Sequence, residues 1–335
     1  MKNKNGEGRL SEWISSLRWT LYELFRKIGA PHGNKPKKLK NKKKKGALFC
    51  TAMLALPLLQ FFLFYICVNF TSVLLAFQKL DVNGNAVWVG LENFKTLFRQ
   101  FQTEKVFTYA LKNSLLSYLI GTICTTPLTL IFSFYIYKKM FGHNLMKIML
   151  FLPSVISSIV MVMIYTYFVD LAVPVFFESV FHIEIQGLYS NAEIRFRTIL
   201  FYNIWFGLGG GILMYLSAMN SINESVVEAA QLEGAGYWQE FVHITLPMIY
   251  PTFTTFFIVG IAGIFTNQMN LYTFGGSLVN LRDYTLGYYL FKQALDGQIN
   301  YPRLSALGLL MTAILVPLTF LVRYCLEKFG PSTEE

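Results

Sequence analysis

The sequence predicts an all-α polytopic membrane protein built from six transmembrane helices. The chain of 335 residues is 54% hydrophobic and 16% aromatic, and only 14% of its residues are charged. Six runs carry no charged side chain, and each is long enough to cross about 30 Å of hydrocarbon as a helix. These runs cover roughly residues 48–77, 113–137, 148–169, 198–220, 248–275 and 304–322. We therefore expect residues 48–330 to form a six-helix bundle that spans the cell membrane.

The first 47 residues form a basic tail ahead of the first span. They hold 14 Lys and Arg against 3 Glu, a net charge of +11, whereas the rest of the chain carries −1. Because Lys and Arg favour the cytoplasmic side of a span, we expect a cytoplasmic N-terminus, and six spans return residues 331–335 to the same side. The loop that contains Lys138, Lys139 and Lys147 is expected to be cytoplasmic for the same reason.

Two features of the tail predict contact with membrane lipids. Eight lysines between Lys35 and Lys45 lie directly ahead of the first span. There each lysine is attracted to an anionic inner leaflet by about 1 kcal/mol, so lipid rather than nucleic acid is the expected partner. The segment 11–29 predicts an amphipathic helix along the membrane surface, with Ser11 as its N-cap. The apolar face of this helix comprises Trp13, Leu17, Leu21, Leu24 and Ile28.

The sequence contains no recognisable catalytic or metal-binding pattern. A glycine cluster in the fourth run looks like a nucleotide loop but lacks the other residues of that motif. Small residues inside a span instead predict close helix packing. The cluster comprises Gly207, Gly209, Gly210 and Gly211. Four cysteines and four histidines are scattered without ligand spacing, so we expect no disulfide and no metal site. The chain is therefore expected not to be an enzyme and to hold no cofactor of its own.

The spans predict transport of an uncharged solute, driven by a partner. Ion-coupled carriers usually keep charged or histidine side chains inside their spans, and the six runs hold none. They offer neutral polar and aromatic groups instead, which suit a hydroxyl-rich solute. The candidates for contacts along the solute path are Tyr165, Trp205, Asn267 and Asn270. The alternative for each of them is interhelical packing and hydrogen bonding.

An acidic segment, residues 221–247, separates the fourth and fifth runs on the expected cytoplasmic side. Ser221 and Glu224 have the spacing of a capping box, which predicts a helix that begins at Ile222. Gly234 permits a left-handed backbone turn, so the helix is expected to end just before it. The segment therefore predicts a helix, a glycine turn and a second helix.

The side chains of this segment predict a surface for another protein. Ala229 and Ala230 are expected to present a low-relief surface against which a groove could close. In the second helix, Trp238 and Phe241 are expected to share a face. Pro247 then marks the entry into the fifth span, because proline cannot continue a regular helix.

The stretch "EAAQLEGAGYWQEFVHITLP" closely resembles the EAA loop of type I ABC importer permeases. The matching positions are Glu228, Ala229, Ala230, Gly234, Ile244, Leu246 and Pro247. Segments 88–98, 110–116, 150–165 and 272–277 are similar to the sugar-permease branch, and the resemblance covers about residues 47–330. Two positions depart from the branch: Glu233 stands where Asp is usual, and "GGSLVNLRDYT" replaces a Gly-Gly-Pro segment.

The resemblance implies the six-helix permease fold and a set of partners. A second permease subunit, often a different one, would complete the pathway, and an extracellular solute-binding lipoprotein would deliver a sugar or oligosaccharide. Two ATP-binding subunits would bind ATP and Mg beneath the permeases. The residues implied in coupling to them are Glu228, Ala229, Ala230, Gly234, Leu246 and Pro247. An ABC permease for an amino acid or phosphate, and an ion-coupled carrier, are the alternative functions.

Overall fold

The computed structural model describes residues 40–81, 84–297 and 301–331, with side chains from residue 49 onward. The predicted amphipathic helix of the tail and residues 332–335 lie outside the described residues. Within the described part, five helices are long and apolar enough to cross a membrane, and a bent pair of helices makes a sixth. The predicted all-α membrane fold is therefore confirmed. By contacts, the chain divides into one compact unit that ends at Val68 and a second that begins at Asn69.

The first span agrees with the sequence. Helix α1 (Lys40–Gln60), a π-helical segment (Phe61–Cys67) and helix α2 (Val68–Leu75) follow one another. Together they contain the apolar span Phe49–Leu75, whose most apolar window has no buried residue. Because these apolar side chains are exposed in the single chain, they suit contact with lipid or with another membrane helix.

A hairpin and a short helix follow the first span. Strands β1 (Gln78–Leu80) and β2 (Ala86–Trp88) pair antiparallel, and helix α3 covers Glu92–Thr103. The side chain of Asn93 in α3 donates to the carbonyl oxygens of Ala76 and Gln78, at 2.9 and 2.7 Å. These two bonds fasten α3 to the start of the hairpin.

The helices of the second and fourth spans lie side by side. Helix α4 runs from Lys105 to Tyr137 and helix α8 from Arg195 to Asn220. Ser133 Oγ of α4 reaches the Ile212 carbonyl of α8 at 3.3 Å. Helix α4 begins eight residues before the predicted run. The prediction missed these residues because Lys105 and Lys112 exclude them from a charge-free window.

The bounds of the third predicted run, 148–169, are wrong, because only residues 158–169 of the run lie in the third span. Helix α5 (His143–Val155) ends inside the predicted run. The third span consists of helix α6 (Ser158–Tyr167), a π-helical segment (Phe168–Ala172) and helix α7 (Val173–Phe181). The expectation of spans without acidic residues is wrong as well, because Asp170 lies in this span. Its carboxylate accepts hydrogen bonds from the Tyr189 and Ser190 backbone N–H groups, at 2.7 and 3.1 Å, and from Ser190 Oγ at 2.7 Å. These donors satisfy the charge, so the helix continues past it.

The fifth predicted run, 248–275, is not one continuous helix. Residues 221–262 form helices α9 (Glu224–Leu232), α10 (Tyr237–Glu240), α11 (Leu246–Met248) and α12 (Tyr250–Ala262). The segment Tyr237–Met248 and helix α12 form the sixth candidate span, with a 67° bend between them. Beyond Ala262 the backbone turns, and Met269 and Asn270 adopt φ of +51° and +56°. Left-handed residues of this kind stop a right-handed helix.

The chain beyond this turn returns to the bundle through short elements. They are helix α13 (Leu271–Gly275), two 3₁₀ turns (Gly276–Leu278 and Leu281–Asp283), helix α14 (Leu286–Leu295) and the last span α15 (Tyr301–Phe329). Asn113 of α4 donates to the carbonyls of Arg282 and Tyr284, at 2.7 and 3.0 Å. The return segment is thereby fixed to the second span.

The predicted packing role of the span-four glycines is confirmed at two positions. A Cβ added at Gly209 would lie 2.8 Å from the Leu150 carbonyl oxygen, and one at Gly211 would lie 2.8 Å from Thr129 Cγ2. Gly207 and Gly210 have no atom within 4 Å of such a Cβ. Two of the four glycines, Gly209 and Gly211, are therefore needed for the close approach of α8 to its neighbouring helices.

This difference predicts opposite effects of the same substitution at neighbouring positions. Gly210→Ala should keep or raise stability, since alanine favours a helix over glycine by roughly 1 kcal/mol. Gly209→Ala forces a methyl group against the α5 backbone, and overpacking costs about 1–3 kcal/mol, so its unfolding temperature should fall. Thermal unfolding of the detergent-solubilised complexes measures both. Equal unfolding temperatures would contradict the close approach of α5 and α8.

Candidate functional site

The acidic loop begins with a helix that is capped differently from the sequence prediction. Helix α9 starts at Glu224, and Asn223 Oδ1 accepts from the Ser225 backbone N–H at 3.1 Å. The predicted start at Ile222 with a Ser221 capping box is wrong. Ile222 is buried, and its N–H continues the preceding helix by donating to the Met219 carbonyl. Asparagine caps a helix as well as serine does, and Asn223 is the N-cap of α9.

The predicted glycine turn is confirmed. Gly234 has φ of +83°, and its N–H donates to the Gln231 carbonyl. The next N–H, that of Ala235, donates to the Ala230 carbonyl at 3.0 Å. This pair of bonds is a Schellman motif, which closes the C-terminus of α9. A firm cap at each end makes α9 a well-defined short helix.

The loop has one buried face and one exposed face. Val227 and Ala230 are buried, each only 8% exposed, whereas Ala229 and Glu228 are exposed. The expectation of an exposed alanine pair is therefore wrong for Ala230, because α9 turns this residue toward the permease core. Leu232, which the sequence analysis did not single out, is 90% exposed.

The second half of the loop packs on the second span. Trp238 and Phe241 are in contact, with ring centroids 5.6 Å apart, but only Phe241 is buried. Phe241 lies against Phe134 of α4 at 4.9 Å between centroids. The implied coupling residues Leu246 and Pro247 are half-buried at the bend before α12. The two rings predicted to share a face therefore differ in burial: Trp238 is at the surface, and Phe241 is in the core.

A buried ion pair joins this half of the loop to the end of α4. Lys138 Nζ lies 2.6 Å from Glu240 Oε1, in the geometry of a charge pair rather than of an aligned hydrogen bond. The two side chains are 9% and 1% exposed. Sequence analysis missed the pair because Lys138 counts there only as a cytoplasmic charge, and 102 positions separate the partners.

A cavity of about 460 Å³ lies among α4, α8 and residues 260–269 of the fifth predicted run. None of its 14 lining residues is charged. Seven of them carry a hydroxyl or amide group: Ser117, Tyr118, Thr122, Thr125, Asn203, Thr266 and Asn267. Such a lining can exchange hydrogen bonds with a solute without drawing a counter-charge into the membrane.

Of the four predicted path residues, the structure brings two to this cavity. Asn267 lines it directly, and Asn270 Nδ2 donates to Oδ1 of the lining residue Asn203 at 3.0 Å. Asn203 Nδ2 in turn donates to the carbonyls of Ile199 and Met269, at 2.8 and 3.0 Å. Asn203 was one of the neutral polar groups that the sequence offered in the spans, but it was not among the four predicted path residues.

The other two predicted path residues lie in a separate aromatic cluster. Tyr165 is 8% exposed, and its hydroxyl donates to the Thr198 carbonyl at 2.9 Å. Its ring lies 5.0 Å from that of Tyr202, which also contacts Trp205 at 6.3 Å. Neither Tyr165 nor Trp205 lines the cavity. The structure therefore favours interhelical packing for both, the alternative left open above.

Charged side chains are gathered at the N-terminal end of α8, the helix of the fourth span. Arg195 donates to the Tyr189 and Ser190 carbonyls and lies 3.5 Å from Asp283 Oδ2. Burial raises the pKa of Asp283, although the nearby Arg195 charge acts in the opposite direction. These contacts hold the 187–190 loop and the 281–283 turn together. The charges remain outside the cavity lining.

The comparison with protein families decides the identity of this arrangement. Residues 126–334 match the family described as "Binding-protein-dependent transport system inner membrane component". The chain belongs to this family. The match includes the acidic loop, α8 and most of the cavity wall. The protein is accordingly a multi-pass membrane permease, and the ion-coupled carrier is set aside.

Relatives and a solved structure agree with this assignment. The permease is 27% identical to the arabinooligosaccharides transport system permease protein AraP of Bacillus subtilis, over 82% of this chain and 87% of AraP. It is 27% identical to a probable ABC transporter permease of Mycoplasma pneumoniae, over 80% and 81% of the two chains. A chain in the crystal structure of a bacterial ABC transporter involved in alginate import has the same fold. It superposes with a TM-score of 0.69 at 22% identity, covering 86% of this permease and 98% of that chain.

The position of Tyr165 predicts a structural effect of losing its hydroxyl. Tyr165→Phe should lower stability by about 1 kcal/mol, the usual net contribution of one hydrogen bond. Its uptake rate per assembled complex should be unchanged. Tyr167→Phe, at an exposed ring two residues away, is the matched control and should alter neither quantity. Normal assembly with reduced uptake in Tyr165→Phe would instead assign Tyr165 to the solute path.

Proposed function

We propose that this permease forms part of the translocation pathway of an ATP-driven importer for a neutral sugar or oligosaccharide. An extracellular solute-binding lipoprotein delivers the solute, and a second, different permease subunit completes the pathway. Two partner subunits bind ATP and Mg and hydrolyse the nucleotide, so this chain is a non-ATPase component. Both termini are cytoplasmic, and the residues implied in coupling lie on the cytoplasmic side.

The uncharged cavity is the observation that carries the sugar assignment. Amide and hydroxyl groups from three spans converge on about 460 Å³, and no lining residue is charged. Sugars are held by such neutral donors and acceptors, whereas a charged solute normally meets an opposite charge inside a membrane. The relative AraP is named for arabinooligosaccharides. The alginate transporter is described as importing an acidic polysaccharide, and the lining of the present cavity favours a neutral one.

The loop 221–247 is suited to mechanical coupling. Its outward face exposes Leu232, Trp238 and Ala229, and apolar side chains at the cytoplasmic surface suit a groove in another subunit. Helix α9 follows α8 almost directly, and the loop continues through the bend into α12. Both α8 and the span that contains α12 line the cavity. Closure of the ATP-binding subunits on the loop would therefore move two walls of the cavity and produce alternating access.

The two alanines of the EAA motif provide a matched pair for testing the docking face. In the assembled transporter, Ala229→Cys should crosslink to cysteines placed in the docking groove of the ATP-binding subunit. Ala230→Cys should not, because its side chain points into the permease core. Leu232→Cys, at a position of α9 that is 90% exposed, should crosslink as well. Efficient crosslinking from residue 230 alone would reverse the assigned face and contradict this docking geometry.

The cavity assignment predicts selective loss of transport when the cavity is filled. Gly121 lines the cavity, and a Cβ added there meets no atom within 4 Å. Gly121→Leu should therefore assemble normally but clash with the solute. An overpacking cost of about 1–3 kcal/mol corresponds to a roughly 5- to 160-fold slower uptake, larger for longer oligosaccharides. Gly207→Leu, equally free of neighbours but away from the cavity, is the control.

The solute is identified, and the two variants are compared, by measuring uptake into proteoliposomes loaded with ATP. The solute-binding protein is added together with one solute at a time from a panel of neutral sugars, alginate oligosaccharides, amino acids and phosphate. Uptake of a neutral sugar that requires ATP supports the proposal. ATP-dependent uptake of an amino acid or phosphate alone would assign the alternative substrate class. Equal uptake by Gly121→Leu and Gly207→Leu would show that the solute passes elsewhere.

A further inference from the structure

Three helical spans line the cavity, but the coupling loop is continuous with only two of them. The loop follows α8 directly and leads through the bend into α12. Helix α4 contributes Ser117, Tyr118, Thr122 and Thr125 to the cavity, yet it ends at Tyr137, far from the loop in sequence. Movement of the loop can therefore reach α4 only through non-covalent contacts.

One of these contacts is the ion pair between Lys138 and Glu240. Of the three ion pairs in the described residues it is the most buried, whereas Arg323 and Glu327 form a pair that is more than half exposed. Removing one partner of a buried pair leaves an uncompensated buried charge, which is strongly unfavourable. An exposed pair is screened by water and contributes little.

Aromatic rings enclose this ion pair. Lys138 Nζ lies 5.7 Å from the ring centroid of Tyr137 and 6.0 Å from that of Tyr237. Phe134 and Phe241, close in sequence to the two partners, contact each other in a cluster of buried apolar side chains, against which Tyr137 also packs. Rings at this distance attract the ammonium group and exclude water. The pair is thus a localised, poorly screened link between α4 and the loop.

We propose that Lys138 and Glu240 are positioning residues that fasten the coupling loop to α4, so that the α4 wall of the cavity follows the loop. The inference rests on the proposed function, because it assumes that ATP-binding subunits move the loop. Thr125 lies about 20 Å along the helix from Lys138 at 1.5 Å per residue. Pro127 interrupts the hydrogen bonding of α4 between them. Below that point, Ser133 Oγ bonds to both the Thr129 and Ile212 carbonyls and supports the helix against α8.

The test uses the complete transporter with its native cysteines replaced. Ser117→Cys reports on the α4 wall of the cavity, and Thr266→Cys reports on the wall at the end of the fifth span. The rate of labelling by a membrane-impermeant maleimide is measured with and without ATP and vanadate. With the ion pair intact, trapping with ATP and vanadate should change the labelling rate at both positions.

Loss of the ion pair should affect only one of the two positions. In Lys138→Met, the nucleotide-induced change at residue 117 should shrink at least about fivefold, the lower range of coupling between sites. The change at residue 266 should persist. The double variant Lys138→Glu with Glu240→Lys should restore the response at residue 117. Lys139→Met, the same substitution at the adjacent exposed lysine, should leave both responses intact.

Each remaining outcome bears on a separate claim. An unchanged response at residue 117 in Lys138→Met would overturn the inference, as would loss at both positions without rescue by the reversed pair, which indicates a role in stability alone. If Lys138→Met does not assemble, Glu240→Gln, which keeps the side-chain shape, takes its place with the same criteria. Absence of any nucleotide response in the parent transporter would contradict the proposed function itself.

Discussion

Polar groups carried into a bilayer must find partners inside the protein, and the architecture of this permease depends on that constraint. Water is absent from the hydrocarbon layer, so an unpaired charge or amide there is strongly unfavourable. Asp170 remains in the third span because the backbone of the 189–190 loop donates to it. Asn203 remains in the fourth span because it bonds to the Met269 carbonyl and to Asn270. Each buried polar group therefore fixes the position of a distant segment.

The same constraint separates the charged and neutral parts of the molecule. Charged side chains meet at the two ends of the bundle, with Arg195 and Asp283 at one and Lys138 and Glu240 at the other. Between them lies the cavity with its uncharged lining. A neutral passage between two charged ends suits a solute that exchanges hydrogen bonds but brings no charge of its own.

Close helix packing and cavity formation both depend on glycine, at different positions. Gly209 and Gly211 allow α8 to approach α5 and α4, whereas Gly121 leaves space on the cavity side of α4. A glycine thus allows close helix contact where its missing side chain faces a neighbouring helix, and it leaves open space where it faces the cavity. The distinction depends on the direction of each Cα–Cβ bond relative to neighbouring helices, which changes by about 100° per residue along a helix with 3.6 residues per turn.

The sequence by itself determined the all-α membrane class, the acidic loop with its left-handed Gly234 and the family of the chain. Hydropathy, the conformational freedom of glycine and a long local motif are properties of contiguous residues, so they can be recognised without the fold. The tertiary structure decided the bounds of the third and fifth spans, since Asp170 is satisfied only by a loop far along the chain. It also turned Ala230 inward, moved Tyr165 and Trp205 into packing and brought Asn203 to the cavity. The pairing of Lys138 with Glu240 likewise depends on how α4 meets the loop. Contacts between residues distant in sequence are set by three-dimensional packing, and no local pattern in this chain encodes them.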